Sequence, residues 1–228
     1  MKIVLLGPPG AGKGSLAALI KDHYKILHIS TGDILREEIR RDSPLATEIK
    51  SYIERGALVP DSVITKIVDQ KLTHGLKPQD GFMLDGYPRN AAQAEDLDKI
   101  LKKTGASLDF VLNMEASLPL ILKRISGRRI CKACGAVYHV TNKPSKVSNV
   151  CDACQGALYQ RTDDNEETIL NRMKVYNEST APILDYYRKQ NKLRMIDGDE
   201  ETDILFENFV KSLNEDKKFH QNQDARRN

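Results

Sequence analysis

The chain has 228 residues, 40% of them hydrophobic and 29% charged, enough for one good-sized domain with small insertions. A net charge of +3, built from mixed signs, gives no reason to expect a nucleic-acid or membrane partner. No apolar run approaches the roughly 20 residues of a membrane span. The short apolar start leads into a glycine-rich loop instead of a cleavage site, so a cytoplasmic protein is expected.

In chain order, KIVLL (2–6) is a short apolar run ending at glycine and reads as a buried parallel strand. GKGSLAALIKDHY (12–24) reads as a helix and LHIS (27–30) as a second strand. Ser30 or Thr31 is placed to cap the helix GDILREEIRR (32–41). Helices follow at 44–56 and 61–72, with Asp61 and Ser62 as cap candidates for the latter. GFMLDGYPR (81–89) is a strand entering a tight turn, 91–105 a helix, 108–115 a strand, and 118–127 a helix with Pro119 in its first turn. Beyond the cysteine segment, 165–179 is helical, Pro182 interrupts the pattern, and 183–190 continues it. A final strand (193–198) and helix (202–213) precede a polar stretch, 214–228, expected to be a frayed tail. Alternating strands and helices predict an α/β fold, a parallel sheet flanked by helices.

GPPGAGKGS (7–15) lies between a predicted strand and helix and matches the phosphate-loop pattern G-x-x-x-x-G-K, with the lysine at Lys13. Glycines let backbone N–H groups approach phosphate oxygens, and the helix N-terminus adds partial positive charge. Gly14 stands where a hydroxyl residue is usual, and Ser15 follows it.

This G-K-G-S variant resembles the nucleoside monophosphate kinases, and the adenylate kinase family in particular. STGDILR (30–36) and DGYPRNAAQ (85–93), unremarkable alone, look like that family's monophosphate site when they follow such a loop. The resemblance implies that Thr31, Arg36, Leu58, Val59, Gly86, Arg89, Gln93, Arg161 and Arg172 meet AMP. It implies that Gly10, Ala11, Gly12, Lys13, Gly14, Ser15, Arg124, Arg128, Tyr138 and Asp199 meet ATP. Catalysis would fall to Lys13, Arg89, Arg124, Arg128, Arg161 and Arg172, and Ser15 and Asp85 would hold Mg²⁺ through water. An arginine fork suits a phosphate dianion, and phosphoryl transfer needs positioning and charge neutralisation more than covalent chemistry. The acceptor phosphate, with a second pKa of about 6, needs no general base. None of His23, His28, His74, His139 and His220 is therefore assigned one. Tyr87 stands where the family usually has phenylalanine, Ser15 for threonine, and Leu16 for glutamine.

Cys131-x-x-Cys134, sixteen residues, then Cys151-x-x-Cys154 is a zinc-site spacing, with Gly135 and Gly156 helping each turn. Four thiolates make a closed tetrahedral shell, so the metal would be structural. Four reduced buried cysteines, or a nucleic-acid-binding ribbon, are the alternatives. KPSKV (143–147) is basic but lacks aromatics for stacking bases. The resemblance is to the zinc-type, long-lid members, and it covers nearly the whole chain.

The expected organisation is a core (1–29, 60–126, 165–213), an AMP-binding insert (30–59), a zinc-bearing lid (127–164) and the tail. The expected activity converts ATP and AMP reversibly to two ADP with Mg²⁺, in a monomer, maintaining adenine nucleotide balance. A kinase for another nucleoside monophosphate or using GTP, and a non-catalytic nucleotide-binding scaffold, compete with it. Short-lid uridylate and cytidylate kinases fit poorly, and the converging arginines argue against mere binding.

Overall fold

The computed structural model describes residues 1–41, 43–74 and 80–225. Five parallel strands form the central sheet: β1 (Lys2–Leu6), β2 (Leu27–Ser30), β3 (Phe82–Asp85), β4 (Phe110–Glu115) and β8 (Leu193–Asp197). Their order is β2-β3-β1-β4-β8, so β1 sits at the point where the winding reverses. The register sets Leu5 beside Asp85, and Asp85 beside Ser30. The C-terminal ends of the strands therefore share one edge, and the loops that follow them meet there.

Side-chain alternation splits the core into two layers. Val4 and Leu6 of β1, with Phe82, Leu84 and Val111, pack under α4 (Asp61–His74), α5 (Ala91–Lys103) and α8 (Ile183–Lys189). Ile3 and Leu5, with Met83, Phe110 and Leu112, pack against α1 (Lys13–Tyr24) and α9 (Thr202–Ala225). Leu16 is fully buried in this second layer, so it contributes to the core and not to a nucleotide surface.

Helices α2 (Thr31–Ile39) and α3 (Pro44–Glu54) join the first layer through Leu35 and Ile49. The 30–59 segment therefore shares its core with the sheet. The cysteine segment, in contrast, has a sheet of its own: β5 (Arg128–Cys131), β6 (Val137–His139) and β7 (Leu158–Tyr159), ordered β6-β5-β7. Its buried hydrophobic cluster is only Cys131, Tyr138 and Cys151, packed with Ala136 and Leu158. That is too little apolar surface to hold a subdomain together unaided.

The structure decides one local alternative and departs from other expectations. Ser30, not Thr31, caps α2, its Oγ accepting from Asp33 N at 3.3 Å. Asp61 starts α4 but its carboxylate goes elsewhere, to Asn90 and Gln93. The helical run α7 (Glu166–Val175) loosens before Pro182, into a π turn at Tyr176–Thr180 closed by Ala181 N–H to Tyr176 O at 2.8 Å. The backbone of α9 also stays helical to Ala225, past the boundary at Asn214, and 226–228 lie outside the described residues. Among the described residues, no helix is long and apolar enough to cross a membrane.

Candidate active site

The phosphate loop joins β1 to α1, and Gly7, Gly10 and Gly12 all take positive φ, which bends the backbone back on itself. Lys13 Nζ folds over the loop and donates to Gly7 O and Pro8 O, both at 2.7 Å. Burial, opposed by Asp85 but reinforced by Arg89, Arg172 and Arg128, lowers its pKa to about 8. Ser15 lies in the first turn of α1. Asp85 ends β3, with His28 Nε2 3.7 Å from its Oδ2. Burial pushes its carboxyl up, but His28, Lys13 and Arg89 outweigh burial and hold it below the ordinary range. A hydroxyl and an ionised carboxylate are the oxygen donors that Mg²⁺ takes, so these two residues fit such an ion.

On the other side of Asp85, a pocket is lined by Thr31, Arg36, Leu58, Val59, Gly86, Arg89, Gln93 and Arg172, together with Asp163. Thr31 Oγ1 donates to Asp85 O at 3.2 Å, and Arg89 Nε donates to Gly86 O at 2.8 Å. Gly86 has φ +83°, and a Cβ there would lie 2.7 Å from Thr31 Oγ1, so the turn requires glycine. The Tyr87 ring is fully buried and its hydroxyl meets Thr65 Oγ1 at 3.1 Å, which accommodates the extra oxygen. Burial and then Arg172 lower Arg89 to about 10.

Arg128, Arg161 and Arg172 come from either end of the cysteine segment and from α7, and each is held by an acid. Arg128 forks onto Asp164, its Nε 2.9 Å from Oδ2. Arg172 Nη1 meets Asp163 Oδ2 at 2.8 Å. Arg161 Nη2 reaches Asp33 Oδ1 at 3.4 Å, and Arg36 reaches the same oxygen at 2.6 Å. Asp163 and Asp164 are buried, so these charges need their partners. Burial, with Arg36 and Arg128 nearby, lowers Arg161 to about 10. Arg124, on α6 (Leu118–Ser126), closes the donor side by donating to Ala11 O at 3.3 Å, Gly198 O at 2.5 Å and Glu200 O at 3.1 Å.

Two expected donor contacts are engaged within the protein. Asp199 Oδ1 accepts from Ser117 N at 2.8 Å. Tyr138 is buried in the lid, its hydroxyl 3.4 Å from Cys151 Sγ and accepting from Asp152 N at 2.8 Å. Asp33, Asp61, Asp163 and Asp164 were not singled out from sequence as members of the site. Their only signals were Asp33 one helical turn before Arg36, and the paired acids two and three residues after Arg161.

The four cysteine sulfurs lie within 4.8 Å of one another, with Cys131–Cys154 at 3.4 Å and Cys134–Cys151 at 3.6 Å, and no disulfide joins them. A tetrahedron with metal–sulfur bonds of about 2.3 Å has edges of about 3.8 Å, so the donors fit a four-coordinate metal. The Tyr138 hydroxyl and nearby backbone N–H groups lower Cys151 to about 6. Cys154, though the Gly156 amide pulls it down, is pushed up to about 12 by the other three sulfurs. Without a cation among them Cys154 keeps its proton, and all four become thiolates only around a metal. Gly156 assists by proximity and not by φ, since a Cβ there would stand 3.0 Å from Cys131 Sγ. The left-handed residue of that turn is Gln155, at φ +60°.

A parallel sheet carrying a phosphate loop at its reversal point, with a lysine and several arginines converging on it, defines a P-loop kinase. Comparison with known proteins agrees: the family model described as adenylate kinase matches residues 5–192. The chain is 50% identical over 213 residues to the adenylate kinase of Clostridioides difficile (strain 630), covering 93% of this chain and 98% of that one. It is 48% identical over 215 residues to the adenylate kinase of Methanothrix thermoacetophila, covering 93% and 98% respectively. The chain belongs to the adenylate kinase family.

Proposed function

We propose that the enzyme reversibly moves a phosphoryl group from ATP to AMP, giving two ADP, and so maintains adenine nucleotide balance. What carries this reading is the crowding of cations: Arg89, Arg128 and Arg172 all act on Lys13, and Arg36 acts on Arg89, Arg161 and Arg172. Lys13, Arg36, Arg89, Arg128, Arg161 and Arg172 outnumber the carboxylates among them, Asp33, Asp85, Asp163 and Asp164, and this excess of positive charge suits a triphosphate and a monophosphate meeting there. In this reading the loop at 10–15, with Arg124 and Arg128, holds the donor phosphates. Thr31, Arg36, Leu58, Val59, Gly86 and Gln93 hold AMP, whose phosphate Arg89 grips. Lys13, Arg128, Arg161 and Arg172 neutralise charge on the phosphoryl group in flight. Ser15 and Asp85 would hold Mg²⁺, which supplies charge neutralisation on the donor phosphates when bound. The ionised acceptor oxygen attacks without a general base.

Zinc is the metal that four thiolates favour, and a closed shell leaves it no open position for substrate. It holds residues 127–164 as a rigid lid, and 30–59 forms the AMP-binding segment. Arg161 and Arg36 on the shared Asp33 carboxylate link the two when they close. Reduced, clustered cysteines suit a cytoplasmic enzyme, which we take to act as a monomer. The test is steady-state ADP formation with ATP and AMP, compared with UMP, CMP or GMP as acceptor and GTP as donor. AMP and ATP should give the highest kcat/KM, and equal or better use of another pair would overturn the assignment.

A further inference from the structure

Asp61, in the first turn of α4, has no part in phosphate transfer, yet its carboxylate collects two amide side chains. Asn90 Nδ2 lies 3.0 Å from each oxygen, and Gln93 Nε2 lies 2.6 Å from Oδ1. The other end of the Gln93 amide, Oε1, accepts from the Arg89 backbone N–H at 2.8 Å. Asn90 is locked as well, because its Oδ1 caps α5 by accepting from Gln93 N at 2.9 Å, which turns its NH₂ to Asp61.

These partners are chemically one-sided. A carboxylate only accepts, and a peptide N–H only donates. An amide held between them therefore has one orientation. Inverted, it would set NH₂ against the Arg89 N–H and oxygen against the carboxylate, two repulsive contacts at once. Gln93 is 2% exposed and lines the pocket. After these two bonds its amide keeps one N–H and one lone pair, in a fixed order.

We propose that Asp61 is a positioning residue for base selection: by fixing the Gln93 amide it sets a donor–acceptor order that accepts a 6-aminopurine and rejects a 6-oxopurine. A 6-aminopurine offers a ring nitrogen that accepts and an amino group that donates. A 6-oxopurine inverts both, with N1–H donating and O6 accepting, and so leaves buried polar groups unmatched. The proposal rests on the reading that this pocket takes the acceptor nucleotide.

The experiment compares AMP with IMP, which differs only at this edge, as acceptors with ATP as donor. The proteins are the parent, Asp61→Ala and the isosteric Asp61→Asn, with melting temperatures to establish folding. Alanine removes the acceptor, and asparagine can turn either an oxygen or an NH₂ to Gln93, so each relieves one of the two contacts that oppose the inverted amide and leaves only the Arg89 N–H against it. The expected result is a fall in the AMP-to-IMP ratio of kcat/KM by about tenfold for alanine and about fivefold for asparagine. It should come through the acceptor KM, with the KM for ATP unchanged. A purely structural role would lower both acceptors alike. A ratio within twofold of the parent in either folded variant overturns the proposal. Should the alanine variant not fold, the isosteric one decides. A parent that fails to use AMP sinks the acceptor-site reading and this proposal with it, whereas a selective parent with equally selective variants sinks the proposal alone.

Discussion

Raising the pH tests whether Lys13 works as a charge. Burial and three neighbouring arginines bring its pKa from 10.5 to about 8. With the charge required for phosphoryl transfer, kcat/KM for ATP should fall as pH rises through 8, since at pH 9 only about one-tenth of Lys13 keeps its proton. The expected loss between pH 7 and pH 9 is about tenfold, whereas a lysine at 10.5 would lose only about 3%. The substrate phosphates are already ionised across this range. The stability effect has the opposite sign. The unfolded chain keeps this proton to higher pH, so the burden of the buried charge is fully present below about pH 8 and is relieved between 8 and 10.5. It amounts to at most roughly 3 to 4 kcal/mol at about 1.4 kcal/mol per decade. The assay is initial ADP formation at saturating AMP from pH 7 to 10, with Lys13→Met alongside. The methionine variant should bind nucleotide, lose most turnover, and show a flat residual rate. A flat profile for the parent between pH 7.5 and 9.5, or near-normal turnover in Lys13→Met, would refute the role.

Arg89→Ala should weaken AMP by about 1.5–3 kcal/mol, roughly 10- to 150-fold, while ATP affinity by titration is unchanged. Gly86→Ala forces a side chain into a left-handed turn against Thr31, and should destabilise by about 1–2 kcal/mol in urea unfolding and raise the KM for AMP. Elemental analysis should find about one zinc per chain. Chelation, or Cys131→Ser or Cys154→Ser, should lower the melting temperature through the lid while the sheet stays folded and activity persists at low temperature. Activity proportional to zinc in fully folded apo-protein would make the metal catalytic.

The sheet strands were legible because parallel strands buried on both faces read as short apolar runs, and KIVLL, FMLD and FVLNME each stop at a glycine or a charge. The phosphate loop and the cysteine pairs were legible because their chemistry fixes residue type and spacing together. The lid strands were not. Two to four residues long, they are held by turns and by sulfur geometry, and they are too short for alternation to be detected. The acids were missed for a different reason. Asp33, Asp163 and Asp164 are ordinary helix-start and loop residues until the fold brings Arg161 beside Asp33, 128 positions earlier in the chain. Asp61 likewise satisfies the pattern of a cap, and only the packing of α4 against α5 turns it toward Gln93.

The most direct measurement of the central claim is the stoichiometry of the reaction with purified protein, Mg²⁺, ATP and AMP, followed by chromatography of all three adenine nucleotides. Two ADP should form for each ATP and AMP consumed, and the reverse reaction from ADP alone should restore both. ATP loss without matching AMP loss, or ADP left unchanged by the enzyme, would contradict it.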